Sequence, residues 1–158
     1  MSKVWNILLA SDGSTGSLQA ADWLEANFTT ATAQVTVVTV VHTSLGAGRA
    51  VYTVDPSAFT QLIEVVEANA KQAAQRTQER MPRLQPQWVT RAGGDIARVI
   101  LDVAAERHTD VITVGRRGHG TWASVLLGSV SLRLLTHSSI PVWVIPGNGE
   151  ATHPLDVS

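Results

Sequence analysis

Residues 35–41 read Val-Thr-Val-Val-Thr-Val-Val, and this run constrains the fold more than any other stretch. Branching at Cβ favours extended backbone, and a strand with one wet face would alternate apolar with charged residues, which this one does not. It must be covered on both faces. Strands of that kind belong to parallel sheets, whose crossover helices lie on either side.

The rest of the chain supplies both the helices and the partner strands. Residues 4–10 form a second apolar run that ends at Ser11-Asp12-Gly13-Ser14, after which Leu18, Ala21, Leu24 and Phe28 recur at helical spacing. Residues 43–54 contain Gly46 and Gly48 and read as a loop, and Asp55-Pro56 supplies an N-cap and a first-turn proline. The helix that follows carries the stripe Phe59, Leu62, Ile63, Val66, Ala70, Ala73, Ala74 and Thr77, and is expected to end near Met81-Pro82. Residues 87–92 are a weaker strand, with Gly93-Gly94-Asp95 as turn and cap. Ile96, Val99, Ile100, Val103 and Ala104 then mark one side of a third helix. Residues 111–114, 129–137 and 142–145 complete the alternation as strand, helix and strand.

End-to-end β-α alternation predicts an α/β domain: an open five-stranded parallel sheet with right-handed crossovers and helices on both faces. Two strand orders are common, 3-2-1-4-5 and 2-1-3-4-5, and ligands bind outside the carboxyl ends of the strands that flank the reversal. The strongest motif follows strand 4. Order 3-2-1-4-5 is therefore expected, because it brings that motif beside the Ser11-Asp12-Gly13-Ser14 turn.

That motif is Gly115-Arg116-Arg117-Gly118, nine residues, then Gly128-Ser129-Val130-Ser131. Glycines let backbone N–H groups approach an anion without a Cβ in the way, and Ser129 and Ser131 would add hydroxyls at a helix N-terminus. The alternative is an ordinary loop with a serine N-cap. Gly13 and Gly16 do not complete a Gly-x-Gly-x-x-Gly, so a nicotinamide enzyme is not expected. No Gly-Lys-Ser/Thr is present either; Arg116, Arg117 and His119 are the local substitutes for a P-loop lysine.

Bulk properties narrow the partners. A chain of 158 residues suits one domain, here 1–146, burying roughly 70% of its unfolded surface. Residues 147–158 read as a polar tail without chemistry. With a formal net charge of −1 and 16% charged residues, the chain offers nucleic acid no strong field, and none is expected as a partner. Absence of cysteine excludes disulfides, thiol catalysis and thiolate metal sites. No apolar run approaches the roughly 18 residues of a membrane span, so no membrane partner and a cytoplasmic location are expected.

Gly-x-x-Gly, nine residues and Gly-Ser after a β-branched strand, with an aspartate at the end of strand 1, resembles the ATP-binding branch of the universal stress protein family. The similarity runs over residues 4–146 and includes Asp110-Val111-Ile112, Gly118-His119-Gly120 and Ile140-Pro141-Val142. What it implies is an adenine nucleotide alpha hydrolase-like domain that binds ATP, or ADP or AMP, with Mg2+ or Mn2+ carried by the phosphates. Carried over by position, Gly115, Arg116, Arg117, Gly118, His119, Gly120 and Thr121 would line phosphates and ribose. Gly128, Ser129, Val130 and Ser131 would complete the cradle, and Ala10, Ser11, Asp12 and Val40 would frame the adenine. Ala10 stands where many relatives have proline.

Several residues keep two readings. Asp12 is either a polar contact to the nucleoside or the N-cap of the first helix. Arg116 and Arg117 either pair with phosphate oxygens or are solvated charges. His119 is a ligand-side hydrogen bonder or an acid–base group, His42 a satisfied edge residue, and Trp122 a lid or plain surface. The fifth strand, Val142-Trp143-Val144-Ile145, falls at a sheet edge between Pro141 and Pro146, where unpaired backbone groups invite association. The resemblance implies that it pairs antiparallel across a twofold homodimer. The expected function is regulatory ATP binding in stress responses, with no catalytic residue and no protein metal ligand assigned. A slow ATPase or autophosphorylating enzyme is the alternative, and a nucleotide-free dimerisation module the second.

Overall fold

The computed structural model describes residues 3–42, 56–116 and 127–147. Five strands alternate with four helices: β1 (Trp5–Ala10), α1 (Thr15–Asn27), β2 (Ala33–His42), α2 (Pro56–Glu79), β3 (Gln87–Gly93), α3 (Ile96–Glu106), β4 (Val111–Gly115), α4 (Ser129–His137) and β5 (Val142–Ile145). All strand pairs are parallel, in the order β3-β2-β1-β4-β5. This is the expected order, with its reversal between β1 and β4. Ile7 lies opposite Val35 on one side and Val111 on the other, which makes β1 the hub of the sheet.

Pleating divides the core in two. Ile7, Leu9, Val35, Val37 and Val111 pack against Ala20, Ala21 and Leu24 of α1 and against Met81 and Leu84 beyond α2. Leu8, Val38, Ile112 and Val114 pack on the opposite face against Ile100, Val103 and Ala104 of α3 and Leu134 of α4. The two-sided burial anticipated for residues 35–41 holds from Val35 through Thr39, all buried.

Two helices depart from their expected stripes. In α1 the buried residues are Ser17, Ala20, Ala21 and Leu24, and Leu18 is only half-buried, because the helix turns a serine toward the sheet and satisfies its hydroxyl there. In α2 the stripe is buried at Ala70, Ala73 and Thr77, while Leu62 and Ile63 remain 42% and 41% exposed. The turns carrying them lie N-terminal to the part of α2 that packs on the sheet.

At the amino ends of the strands, Asp110 accepts from Lys3 Nζ at 2.7 Å and from the Asn6 N–H at 2.8 Å. Asp110 thus fastens β4 to β1 at the edge of the sheet remote from its carboxyl ends. Glu25 does similar work on the α1 side: Oε1 accepts from Arg83 Nε at 2.8 Å and from the Arg83 N–H at 2.9 Å, and Oε2 from the Leu84 N–H at 3.2 Å. Partial burial pushes Glu25 upward, but the bonds from the Arg83 side chain and from the Arg83 and Leu84 amides outweigh it, and the net direction is down from 4.5.

Two outcomes follow. A carboxylate whose folded value is depressed contributes stability above its unfolded value and loses it as pH falls through the folded one. Glu25→Gln should therefore melt lower than wild type at pH 7, with the gap closing progressively below pH 4.5 in thermal melts. Thr113 is fully buried and its hydroxyl has no partner among the described residues. Replacing an unsatisfied buried hydroxyl by a methyl of similar shape removes a desolvation cost, so Thr113→Val should stabilise by about 1 kcal/mol. For a domain of this size that is roughly 2–4 °C in Tm.

Candidate functional site

The turn leaving β1 is held by a chain of hydroxyls. Ser11 is buried; its Oγ lies 2.7 Å from Thr77 Oγ1 of α2 and 3.1 Å from Ser17 Oγ, and accepts from the Gly13 N–H at 3.2 Å. The Thr77 hydroxyl also donates to the Ala73 carbonyl at 2.8 Å and the Ser17 hydroxyl to Asp12, so the one Ser11 proton is shared between Thr77 Oγ1 and Ser17 Oγ. The Ser11 carbonyl accepts from the Thr39 hydroxyl at 2.8 Å, and its N–H donates to the Val38 carbonyl at 3.0 Å. Its side chain is consequently spent on the fold and sits behind the turn, not on the open side.

Asp12 is exposed beyond this knot. Its Oδ1 accepts from the Ser14 N–H at 3.0 Å and the Ser17 hydroxyl at 3.2 Å. The helix cap is Ser14, whose hydroxyl accepts from the Ser17 N–H, so Asp12 shapes the turn that precedes the cap and is not the cap itself. Gly13 has φ +73°, and a Cβ there would lie 2.9 Å from Ala73 Cα; both the turn and the approach of α2 require glycine.

A cleft of about 200 Å³ opens beside this turn at the carboxyl ends of β1 and β2. Asp12, Thr39, Val40, Val41 and His42 form one side, and Val66, Asn69, Ala70 and Ala73 of α2 the other. Asp12 and Val40 are thus brought together as the sequence suggested. The α2 contribution escaped the sequence, because Val66, Ala70 and Ala73 look like ordinary core positions. Their signal was size: two alanines leave room where larger side chains would close the wall. His42 ends β2, an interior strand between β3 and β1, and is satisfied as expected, with Nε2 3.0 Å from the Gly94 carbonyl.

The glycine motif lies one strand away. Gly115 ends β4, and a Cβ on it would collide with the Gly16 carbonyl and lie 2.9 Å from the Ser17 nitrogen. Its lack of a side chain serves the packing of β4 against the first turn of α1, a reason the sequence did not disclose. Arg116, half-buried, donates its N–H to the Ile145 carbonyl and accepts from the Gly128 N–H, both at 2.9 Å. Gly128 is the N-cap of α4 and has no side chain to occupy the first-turn amides, so the serine cap considered for this helix is not formed. Ser129 is exposed at the start of α4, whereas the Ser131 hydroxyl is buried and donates to the Gly115 carbonyl at 3.0 Å. Ser131 therefore ties helix to strand, and its proton is already committed. Val130 and Ala10 pack against the α3–α4 core. Arg117, Gly118, His119, Gly120, Thr121 and Trp122 lie outside the described residues.

Turn, cleft and junction all lie at the carboxyl edge of the sheet, where the buried Gly115 meets the Gly16 backbone. Residues 4–146 match the family model described as the Universal stress protein family. The chain belongs to this family. A universal stress protein of Mycolicibacterium smegmatis is 41% identical over 58 residues, which are 37% of this chain and 19% of that protein. The chain thus spans about a fifth of the length of that curated relative. Among solved structures, the universal stress protein UspA from Lactobacillus plantarum is 25% identical with a TM-score of 0.70, over 92% of this chain and 99% of that one. A universal stress protein family protein from Arabidopsis thaliana with AMP bound is 17% identical (TM-score 0.64, 96% and 97% covered). A universal stress protein in complex with cAMP is 20% identical (TM-score 0.59, 92% and 99% covered).

Within this universal stress protein, no described helix is long and apolar enough to cross a membrane. Among the described residues no group of three His, Cys, Asp or Glu side chains is placed to hold a metal ion. The packing role of Gly115 has a direct consequence. Gly115→Ala must push apart the backbones of β4 and α1, and should cost at least about 2 kcal/mol, in the range of overpacked cores. A chemical melt reads this without any ligand; an unchanged midpoint would remove the packing role.

Proposed function

We propose that this universal stress protein is a regulatory nucleotide-binding protein that holds an adenine nucleotide, with ATP the expected form, across the carboxyl ends of β2, β1 and β4. The observation that carries the reading is an apolar slot at the carboxyl ends of β1 and β2, one strand from β4, whose following helix α4 is capped by a glycine. At about 200 Å³ the slot is smaller than the usual 300–1,000 Å³ of small-molecule sites, and so suits one ring system with the remainder of the ligand outside it. Val40, Val41, Val66, Ala70 and Ala73 would enclose the base, and Asp12 would meet the nucleoside at the rim. The phosphates would then run past Gly16 toward Gly128 and Ser129, where first-turn amides favour an anion. A divalent cation, Mg2+ or Mn2+, would travel on the phosphates. Gly118, His119 and their neighbours enter the reading only by their place in the family pattern. AMP and cAMP in two structures of the same fold support an adenine ligand.

Holding a nucleotide requires no catalytic group, and the reading assigns none. The same proposal includes a homodimer through β5, whose outer edge carries Val142, Trp143, Val144 and Ile145 without a charge and is flanked by Leu132 and Leu135, exposed on α4.

Calorimetry and thermal shift with ATP, ADP and AMP, on protein freed of copurifying nucleotide and supplied with Mg2+, test the reading. A micromolar Kd corresponds to roughly −8 kcal/mol, and a hundredfold excess of ligand over Kd should stabilise by about 2.7 kcal/mol. Gly118→Val should abolish binding with an unchanged circular dichroism spectrum. Absence of heat and of stabilisation with all three nucleotides would overturn the proposal. Release of labelled phosphate from γ-labelled ATP, or its transfer to the protein, would replace holding by catalysis.

A further inference from the structure

We infer that Asn69 of α2 reads the base in the cleft as adenine, its amide accepting from the exocyclic amine and donating to the ring nitrogen beside it. The inference rests on the nucleotide reading above and assigns a residue to base selection. Val66, Asn69, Ala70 and Ala73 line the cleft at spacings of three and four residues, which places them on one face of α2. That face is pinned to the turn leaving β1. A Cβ on Gly13 would lie 2.9 Å from Ala73 Cα, and the Thr77 hydroxyl is 2.7 Å from that of Ser11. Arg80, just beyond the helix and about three turns on from Asn69, reaches Asp22 of α1 at 2.9 Å. Asn69 therefore stands on the α1 side of the stripe. Helical side chains lean toward the helix N-terminus, so its amide leans from the level of Ala73 toward that of Val66. Both of those residues enclose the base in the reading above, and Asn69 lies between them.

The other side chains of the wall cannot make this match. Val35 and Val37 of β2 pack in the core under α1, so alternation turns Thr39 and Val41 toward α2 and His42 toward the opposite face, where its ring meets the Gly94 carbonyl. The Thr39 hydroxyl donates to the Ser11 carbonyl. Asp12 when ionised only accepts. Asn69 is exposed, and its amide forms no hydrogen bond among the described residues. An amide sets one acceptor beside a donor, and adenine presents the reciprocal pair, an amine beside a ring nitrogen. A purine without the amine keeps only the ring nitrogen. Because Asn69 is exposed, the difference should be that of one ordinary hydrogen bond, about tenfold in affinity.

The test compares ATP with purine riboside triphosphate, which lacks only the 6-amine, by calorimetry on the full chain with Mg2+. Wild type should bind ATP about tenfold more tightly. Asn69→Leu keeps the size of the side chain and suits a helix, but has no polar atom, and should bring the ratio close to one. Asn69→Asp keeps an acceptor for the amine and sets another against the ring nitrogen, so both ligands should weaken while the preference for ATP survives. Equal binding of the two ligands by wild type, an unchanged ratio in Asn69→Leu, or a lost preference in Asn69→Asp would overturn the role of Asn69 and leave the nucleotide reading intact. Failure of wild type to bind either triphosphate would overturn both.

Discussion

The structure depends on a strand that must be covered on both faces. Ile7, Leu8 and Leu9 are consecutive and wholly buried, so successive side chains of β1 enter opposite cores and neither face can be left to solvent. Helices must therefore lie on both sides. With right-handed crossovers, a chain that begins in the middle of its sheet lays α1 and α2 on one face while it builds outward through β2 and β3, then changes face and builds outward again through β4 and β5. The change of direction leaves β1 and β4 as neighbours whose following segments part company, and a crevice opens between them.

How closely those segments part is decided by small residues. Gly115 and Gly16 bring β4 and the first turn of α1 into backbone contact, and Gly13 does the same for the β1 turn and Ala73 of α2. Close approach buries polar groups, which must then be satisfied. The Thr77-Ser11-Ser17 hydroxyls and the Thr39-Ser11 bond do this at the end of β1, and Ser131 does it for Gly115. Polar residues at the carboxyl edge thus fall into two sets. Ser11, Ser17, Thr77 and Ser131 face inward and hold the frame, while Asp12, Ser129 and His42 face outward.

This division explains what could be read from the sequence and what could not. Strand order was legible because unalternated apolar runs, β-α rhythm and the position of the glycine motif all constrain topology from local pattern. Asp12 and Val40 were legible as neighbours because they lie at the carboxyl ends of the paired strands β1 and β2. A letter sequence does not say which way a hydroxyl points, however, so Ser11 and Ser131 looked like ligand groups although their hydroxyls are bonded to Thr77 and Ser17 and to the Gly115 carbonyl. Gly115 invited an anion-binding reading for the same reason: a missing side chain looks alike whether it makes room for phosphate or for a helix backbone. Val66, Asn69, Ala70 and Ala73 of the cleft wall were hidden because a position that lines a cleft and one that lines a core share the same helical periodicity.

The edges of the sheet show how the site connects to the proposed dimer. At one edge Arg91 of β3 pairs with Glu106 at 3.2 Å and Arg107 reaches Gln87 at 3.1 Å, so charged and amide groups discourage pairing with another strand. Among the described residues β5 itself carries no charged side chain: Trp143 stacks on Phe28 and meets Trp5 and Trp23 at an angle on one face, and Val142 and Val144 join the core of the other. One residue links this edge to the α4 junction. The Arg116 N–H is bonded to Ile145 of β5 and its carbonyl to the Gly128 cap of α4. A shift of the cap strains its bond to the Arg116 carbonyl, and through the Arg116 backbone the bond from its N–H to the edge strand. Backbone bonds of this kind do not stretch by more than a few tenths of an ångström before they weaken steeply. The last residue of β5 is therefore two hydrogen bonds from the N-terminus of α4, and under the proposed nucleotide and dimer readings the Arg116 backbone would link ligand to partner.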